Sequence, residues 1–155
     1  MEHRSAQILP AGTEAVGAPK HFPEKELSSE IIGTFYKVYN YFGYGFLESV
    51  YMKALYAELT RRGVPVEREV RYRLRYEDGS DCGLFKADLI ADKRILVEGK
   101  ATRNLSPEDQ RILLNYLRCS NIEVGLLLHF GPKPRVYRLI SSERHRSADA
   151  SEVYL

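Results

Sequence analysis

The sequence predicts a mixed α/β domain with its elements in the order α-α-β-β-β-α-β-β. Three observations predict it. Apolar residues recur at helical spacing from Ile31 to Phe42 and again from Leu47 to Leu59. From Val70 to Ala101 the pattern changes to period-two alternation and short apolar runs. A further helical stretch then leads into Val124–Phe130, a near-continuous apolar run suited to a central strand.

Residues 1–27 carry Pro10, Gly12, Gly17, Pro19 and Pro23 with little periodicity, and read as a flexible leader. Ser28 or Ser29 is the expected cap of the first helix, whose inward stripe is Ile31, Ile32, Phe35, Val38, Tyr39 and Phe42. Gly43-Tyr44-Gly45 breaks it. The second helix is expected from about Phe46 to Arg62, ending at Gly63. Val70, Tyr72, Leu74 and Tyr76 alternate with Arg71, Arg73 and Arg75, as on a half-buried strand. After the Asp78-Gly79 turn come strands over 83–91 and 95–101. Ser106 caps the next helix with Pro107 at its first position. After Val124–Phe130, the loop Gly131–Pro134 leads to a last strand, Arg135–Ile140. The domain is thus expected over 28–141, with a polar tail over 142–155.

Of the 155 residues, 44% are hydrophobic and 28% charged, a globular balance, and the formal net charge of +2 selects no partner. Cys82 and Cys119 form no CxxC pair, which argues against a structural zinc or an iron–sulfur cluster. Two thiols and no secretory signal suit a reducing, cytoplasmic compartment. No apolar run approaches the ~18 residues of a membrane span.

The middle strands carry charge where hydrophobic residues are expected. Glu98 and Lys100, two apart on a strand, share one face. A three-residue turn over Asp92–Arg94 would pair Ala91 with Ile95, and so bring Asp88 opposite Glu98. A two-residue turn would send Glu98 to the other face. Two opposed carboxylates repel, and need a proton, a basic group or a metal ion between them. Oxygen ligands suit Mg²⁺ or Mn²⁺, and such an ion can activate water at a phosphoryl group. The ordinary alternative is a Glu98–Lys100 salt bridge on a solvated face. On the second helix, Glu48 falls between Leu55 and Leu59 on the apolar arc at about 100° per residue, a costly place for an unpaired carboxylate. Glu58 lies too far along the axis to share that site and is expected to pair with a strand arginine.

"GYGFLESVYMKALYAEL", "RRG", "ADLIADKRILVEGKA", "LLNYLR" and "VGLLLHFG" together resemble the GxxExxY proteins, whose name is spelled by Gly45, Glu48 and Tyr51. That family lies in the restriction-enzyme-like, or PD-(D/E)XK, nuclease superfamily. The resemblance, over roughly 28–140, implies a restriction-endonuclease-like αβββαβ core with an extra N-terminal helix and a C-terminal strand. It implies Asp88, Glu98 and Glu48 as metal ligands with the main-chain carbonyl of Gly99, Lys100 as catalytic lysine, and Mg²⁺ or Mn²⁺ as cofactor. Nucleic acid, DNA before RNA, is the implied partner, and endo- or exonucleolytic phosphodiester hydrolysis the implied activity.

Three positions depart from the family pattern. Gly99 replaces a bulky apolar residue that would pack under the sheet, which is expected to weaken the strand. Ile112 stands where a glutamine is usual, and Gln110 is on another side of the helix. Tyr39 replaces a histidine. These departures support the alternative reading, a catalytically silent nuclease fold that binds nucleic acid or a protein. His129 reads as structural. Arg71, Arg73 and Arg75, extended by Arg61, Arg62, Lys133 and Arg135, offer a phosphate-gripping surface, or simply solvated faces.

Overall fold

The computed structural model describes residues 7–10, 23–141 and 148–154. The elements are β1 (Gln7–Pro10), α1 (Lys25–Phe42), α2 (Glu48–Arg61), β2 (Val66–Arg75), β3 (Asp81–Ala91), β4 (Ile95–Lys100), α3 (Pro107–Cys119), β5 (Val124–Phe130), β6 (Pro134–Ile140) and β7 (Ala148–Tyr154). Among the described residues they form one sheet in the order β1-β6-β5-β4-β3-β2-β7. β2, β3 and β4 make an antiparallel meander, β4 and β5 run parallel across α3, and β5 turns back into β6. Most of the leader expected over 1–27, and part of the tail over 142–155, lies outside the described residues. The described pieces within them include β1, paired with β6, and β7, paired with β2.

The sheet is covered on both faces. On one, α1 and α2 pack Ile31, Phe35, Val38, Tyr51, Leu55 and Leu59 onto Leu89, Val97, Leu126, Leu128 and Phe130. On the other, Leu113 and Leu117 of α3 meet Ile90, Leu96, Leu127 and Leu139. β5 is buried along its whole length, which accounts for its uninterrupted apolar run.

Three local expectations are corrected. α1 starts at Lys25, so Ser28 is a buried interior residue and Ser29 Oγ donates to the Lys25 carbonyl instead of capping. α2 starts at Glu48, which leaves Leu47, expected on the buried arc, 75% exposed. Glu58 pairs within the helical layer, with Lys37 at 2.7 Å, Arg62 at 3.2 Å and Arg61 at 3.4 Å, and not with a strand arginine. These partners, led by the Lys37 hydrogen bond, lower its pKa to about 2. Arg61 and Arg62 of the expected basic surface are thus both ion-paired to Glu58. Arg73 is taken up by Asp81.

Candidate active site

The β3–β4 hairpin turns through Asp92, Lys93 and Arg94 with Ala91 opposite Ile95, as the odd-length turn requires. Regular pairing continues to Leu89 opposite Val97 and stops one step short of Asp88 and Glu98. There side chains replace the ladder. The Asp88 N–H donates to Glu98 Oε1 at 3.1 Å, and the Gly99 N–H donates to Asp88 Oδ2 at 3.0 Å. Each carboxylate thus satisfies a main-chain donor that the sheet leaves unpaired. Both acids lie on the α3 face, in step with Ile90 and Leu96 of that core.

Glu48 reaches this place from the first turn of α2, where the helix dipole favours a negative charge. The local sequence holds it there. Gly45 has φ +114°, a conformation open to glycine, and so turns the chain from α1 into α2. Tyr51, fully buried, donates through its hydroxyl to the Gly43 carbonyl and accepts from the Phe46 N–H at 3.1 Å, while its ring stacks on Phe130. In the Gly45–Glu48–Tyr51 motif, then, glycine makes the turn, tyrosine ties it down and glutamate is delivered to the sheet.

The electrostatics report the convergence. Burial first, then the charge of Asp88, raises the Glu48 pKa, and Lys100 opposes the rise. Burial first, then Asp88, pushes Glu98 up to about 9, against the Asp88 amide and Lys100. Glu48 and Glu98 thus each feel Asp88 and Lys100, and the Gly99 N–H is bound to the Asp88 carboxylate.

Two further residues enter that sequence reasoning missed. Lys100 Nζ lies 3.9 Å from Asp109 Oδ1, while Asp109 Oδ2 accepts the Ser106 N–H at 2.9 Å as part of the α3 cap. Tyr116 of α3 stacks on Phe85, and its phenol pKa is raised by burial, then by Glu98 and Asp88. The capping spacing Ser106–Asp109 was a signal for the first; the second carries none.

The donor set is all carboxylate oxygen and partly buried, a chemistry that suits a hard divalent cation once its protons are displaced. Glu48 and Glu98 each approach Asp88. Among the described residues, however, no group of three or more His, Cys, Asp or Glu side chains is placed so that it could hold a metal ion. The Asp88–Glu98 pair is thus the core of the donor set, with Glu48 alongside.

Of the departures, Gly99 is compensated. A Cβ at Gly99 would overlap Met52 Sδ of α2 and lie 3.2 Å from its Cγ and 3.6 Å from Phe130. Met52 fills the space that a larger strand residue would occupy, so the expected weakening of the strand does not follow. Tyr39 donates to the Gly131 and Pro132 carbonyls at 2.7 and 3.1 Å and holds the β5–β6 turn. Ile112 is 43% exposed on α3.

A family model for the PD-(D/E)XK nuclease superfamily matches residues 25–139, a span that holds all of these groups. The chain belongs to the PD-(D/E)XK nuclease superfamily. Its mixed sheet and helices are those of the restriction-endonuclease-like fold, and the helix before the meander, the meander itself, α3 and β5 form the αβββαβ core. No curated protein and no solved structure matches the chain significantly. Among the described residues no helix is long and apolar enough to cross a membrane.

Proposed function

We propose that this PD-(D/E)XK protein is a metal-dependent nuclease that hydrolyses phosphodiester bonds in nucleic acid, DNA before RNA. One observation supports the reading: where β3 and β4 part, the Glu98 carboxylate accepts the Asp88 N–H and the Asp88 carboxylate accepts the Gly99 N–H, with Glu48 and Lys100 close enough to act electrostatically on the pair. Asp88, Glu98 and Glu48, with the main-chain carbonyl of Gly99, would hold Mg²⁺ or Mn²⁺. A bound ion of this kind supplies a more acidic water and stabilises charge on a phosphoryl oxygen.

The chain's own groups do the remaining work. Lys100 is one-third exposed and restrained by Asp109, so its ammonium faces the place where charge develops on the reacting phosphate. Asp88 and Glu98 are fixed by the amides they accept, which limits reorganisation when substrate binds.

The test is cleavage of duplex and single-stranded DNA and RNA with Mg²⁺ or Mn²⁺, and with EDTA. Cleavage should require the ion and fall by about 10²-fold or more in Asp88→Asn and Lys100→Ala, with folding checked by circular dichroism. A parent protein that cleaves none of these substrates, or an undiminished Asp88→Asn variant, rejects the enzyme. The silent-module reading keeps one supporting feature: Ile112, apolar and half-exposed, stands where the GxxExxY resemblance leads one to expect a glutamine.

A further inference from the structure

A second hollow, of about 290 Å³, is lined by Arg103, Asn104, His129, Lys133, Arg135 and Tyr137, among others. Strand pairing places it beside the acidic site. Lys100 is opposite His129 in the parallel β4–β5 pair, and His129 is opposite Arg135 in the antiparallel β5–β6 pair. Paired residues share a face and neighbouring strands lie about 4.8 Å apart. Lys100, His129 and Arg135 therefore form a row across three strands, on the face that carries Asp88 and Glu98. Arg103 comes to the hollow from the segment after β4 and Lys133 from the β5–β6 turn.

Three cations share this space and no carboxylate lines it. Among the described residues none of the three is held in an ion pair. Its walls are braced from both sides. His129, buried, makes a 2.6 Å hydrogen bond to the Thr102 carbonyl, and Thr102 Oγ1 donates to the Asn104 carbonyl at 2.8 Å. Tyr39 holds the turn next to Lys133 through the Gly131 and Pro132 carbonyls. Clustered cations repel one another unless an anion lies between them, and arginine forks match the oxygens of a phosphate.

The geometry points to a phosphate-binding subsite, in which Arg103, Lys133 and Arg135 grip a phosphate of the nucleic-acid strand whose reacting bond lies at the acidic centre. The ligand class rests on the nuclease reading above, but the test reads binding and not cleavage, so the two fail separately. The phosphate is either an internal phosphodiester or a terminal monoester, and the same test distinguishes them.

The full chain is titrated, in EDTA, with fluorescently labelled DNA, single-stranded and duplex, carrying either a 5′-phosphate or a 5′-hydroxyl. Arg103→Ala/Arg135→Ala should weaken binding about 10-fold or more near 0.1 M salt and flatten the dependence of log K on log[salt] by roughly one unit. Lys53→Ala, which removes an exposed charge from α2, should stay within about twofold. Arg135→Lys should recover part of the loss, because a point charge replaces the fork. Equal losses for both ends identify an internal phosphate; a 5′-phosphate advantage that vanishes in the double variant identifies a terminal one. Binding by the double variant equal to that of the parent, an equal loss in Lys53→Ala, or no binding by the parent overturns the subsite. If the parent binds through these residues yet never cleaves with a metal ion, the subsite stands and the nuclease reading falls.

Discussion

The main-chain N–H of Asp88 donates to the carboxylate of Glu98 across 3.1 Å, at the step where the β3–β4 ladder has ended. A strand junction that would otherwise leave donors unpaired is closed by two acids. Their closeness sets what the protein should do when pH, metal or sequence is changed.

Glu98 titrates at about 9 in the native protein, because it is buried and next to Asp88, against about 4.5 when ordinary. The native state therefore holds a proton that the unfolded chain releases between these values. Its favourable share of stability is complete below about pH 4.5 and is lost as pH rises toward 9. In EDTA, Glu98→Gln should be more stable than the parent by about 1–2 kcal/mol near pH 8, or roughly 3–6 °C in Tm, and by little at pH 5. Melts of both proteins at pH 5, 7 and 9 measure it; a gap that does not widen with pH contradicts the assignment.

A divalent ion that prefers the folded state raises its stability by mass action, about 2.7 kcal/mol at 100 times Kd. Mg²⁺ or Mn²⁺ should raise the Tm of the parent, more at pH 8 than at pH 6, since protons compete for Glu98 and Glu48. Asp88→Asn should lose most of the rise. An equal rise in both proteins places the ion elsewhere.

Met52 lies where a Gly99 side chain would project. Gly99→Val should cost about 1–3 kcal/mol by overpacking, and Met52→Ala about 2–3 kcal/mol by leaving a cavity. The double variant should cost at least ~1 kcal/mol less than their sum. Denaturant titration of the four proteins gives the coupling; simple additivity would mean that the two positions do not share the space.

Tyr51 ties Gly43 and Phe46 to the start of α2 through its hydroxyl. Tyr51→Phe keeps the stacked ring and should cost roughly 1–2 kcal/mol. If the tie positions Glu48, the metal-induced rise in Tm should also shrink, while Tyr76→Phe, exposed just beyond the end of β2, leaves that rise intact. Comparing the two tyrosine variants with and without Mn²⁺ decides it.

Glu58 behaves in the opposite sense to Glu98. Its pKa is lowered to about 2 by Lys37 and Arg62, so its contribution is present above the ordinary value near 4.5 and is lost as pH falls toward 2. Glu58→Gln should therefore destabilise the protein at pH 6 and converge on the parent in acid melts near pH 3. A constant difference across that range would rule out the lowered value.

Much of this was legible in the chain. Period-two alternation assigns faces, so Glu98 and Lys100 share one; an odd-length turn then brings Asp88 to the same face. The apolar run of β5 announced a central strand, and Ser106-Pro107 announced the start of α3. The ends of elements were less legible. α1 begins before Ser28 and α2 only after Leu47, because docking onto the sheet, and not the local cap residue, decides where those helices start.

By itself, the sequence determined which side of each strand and helix is apolar, and hence the three acids and the lysine that must be accounted for. Those properties are periodic and local, and every few residues repeat the information. Only the tertiary structure decided that Glu48 meets Asp88 across the parting of β3 and β4, that Asp109 restrains Lys100, that Met52 replaces the missing bulk of Gly99, and that Arg103, Lys133 and Arg135 close on one hollow. Each joins segments far apart in the chain, and depends on how two layers settle against each other, for which no spacing in the sequence is a measure.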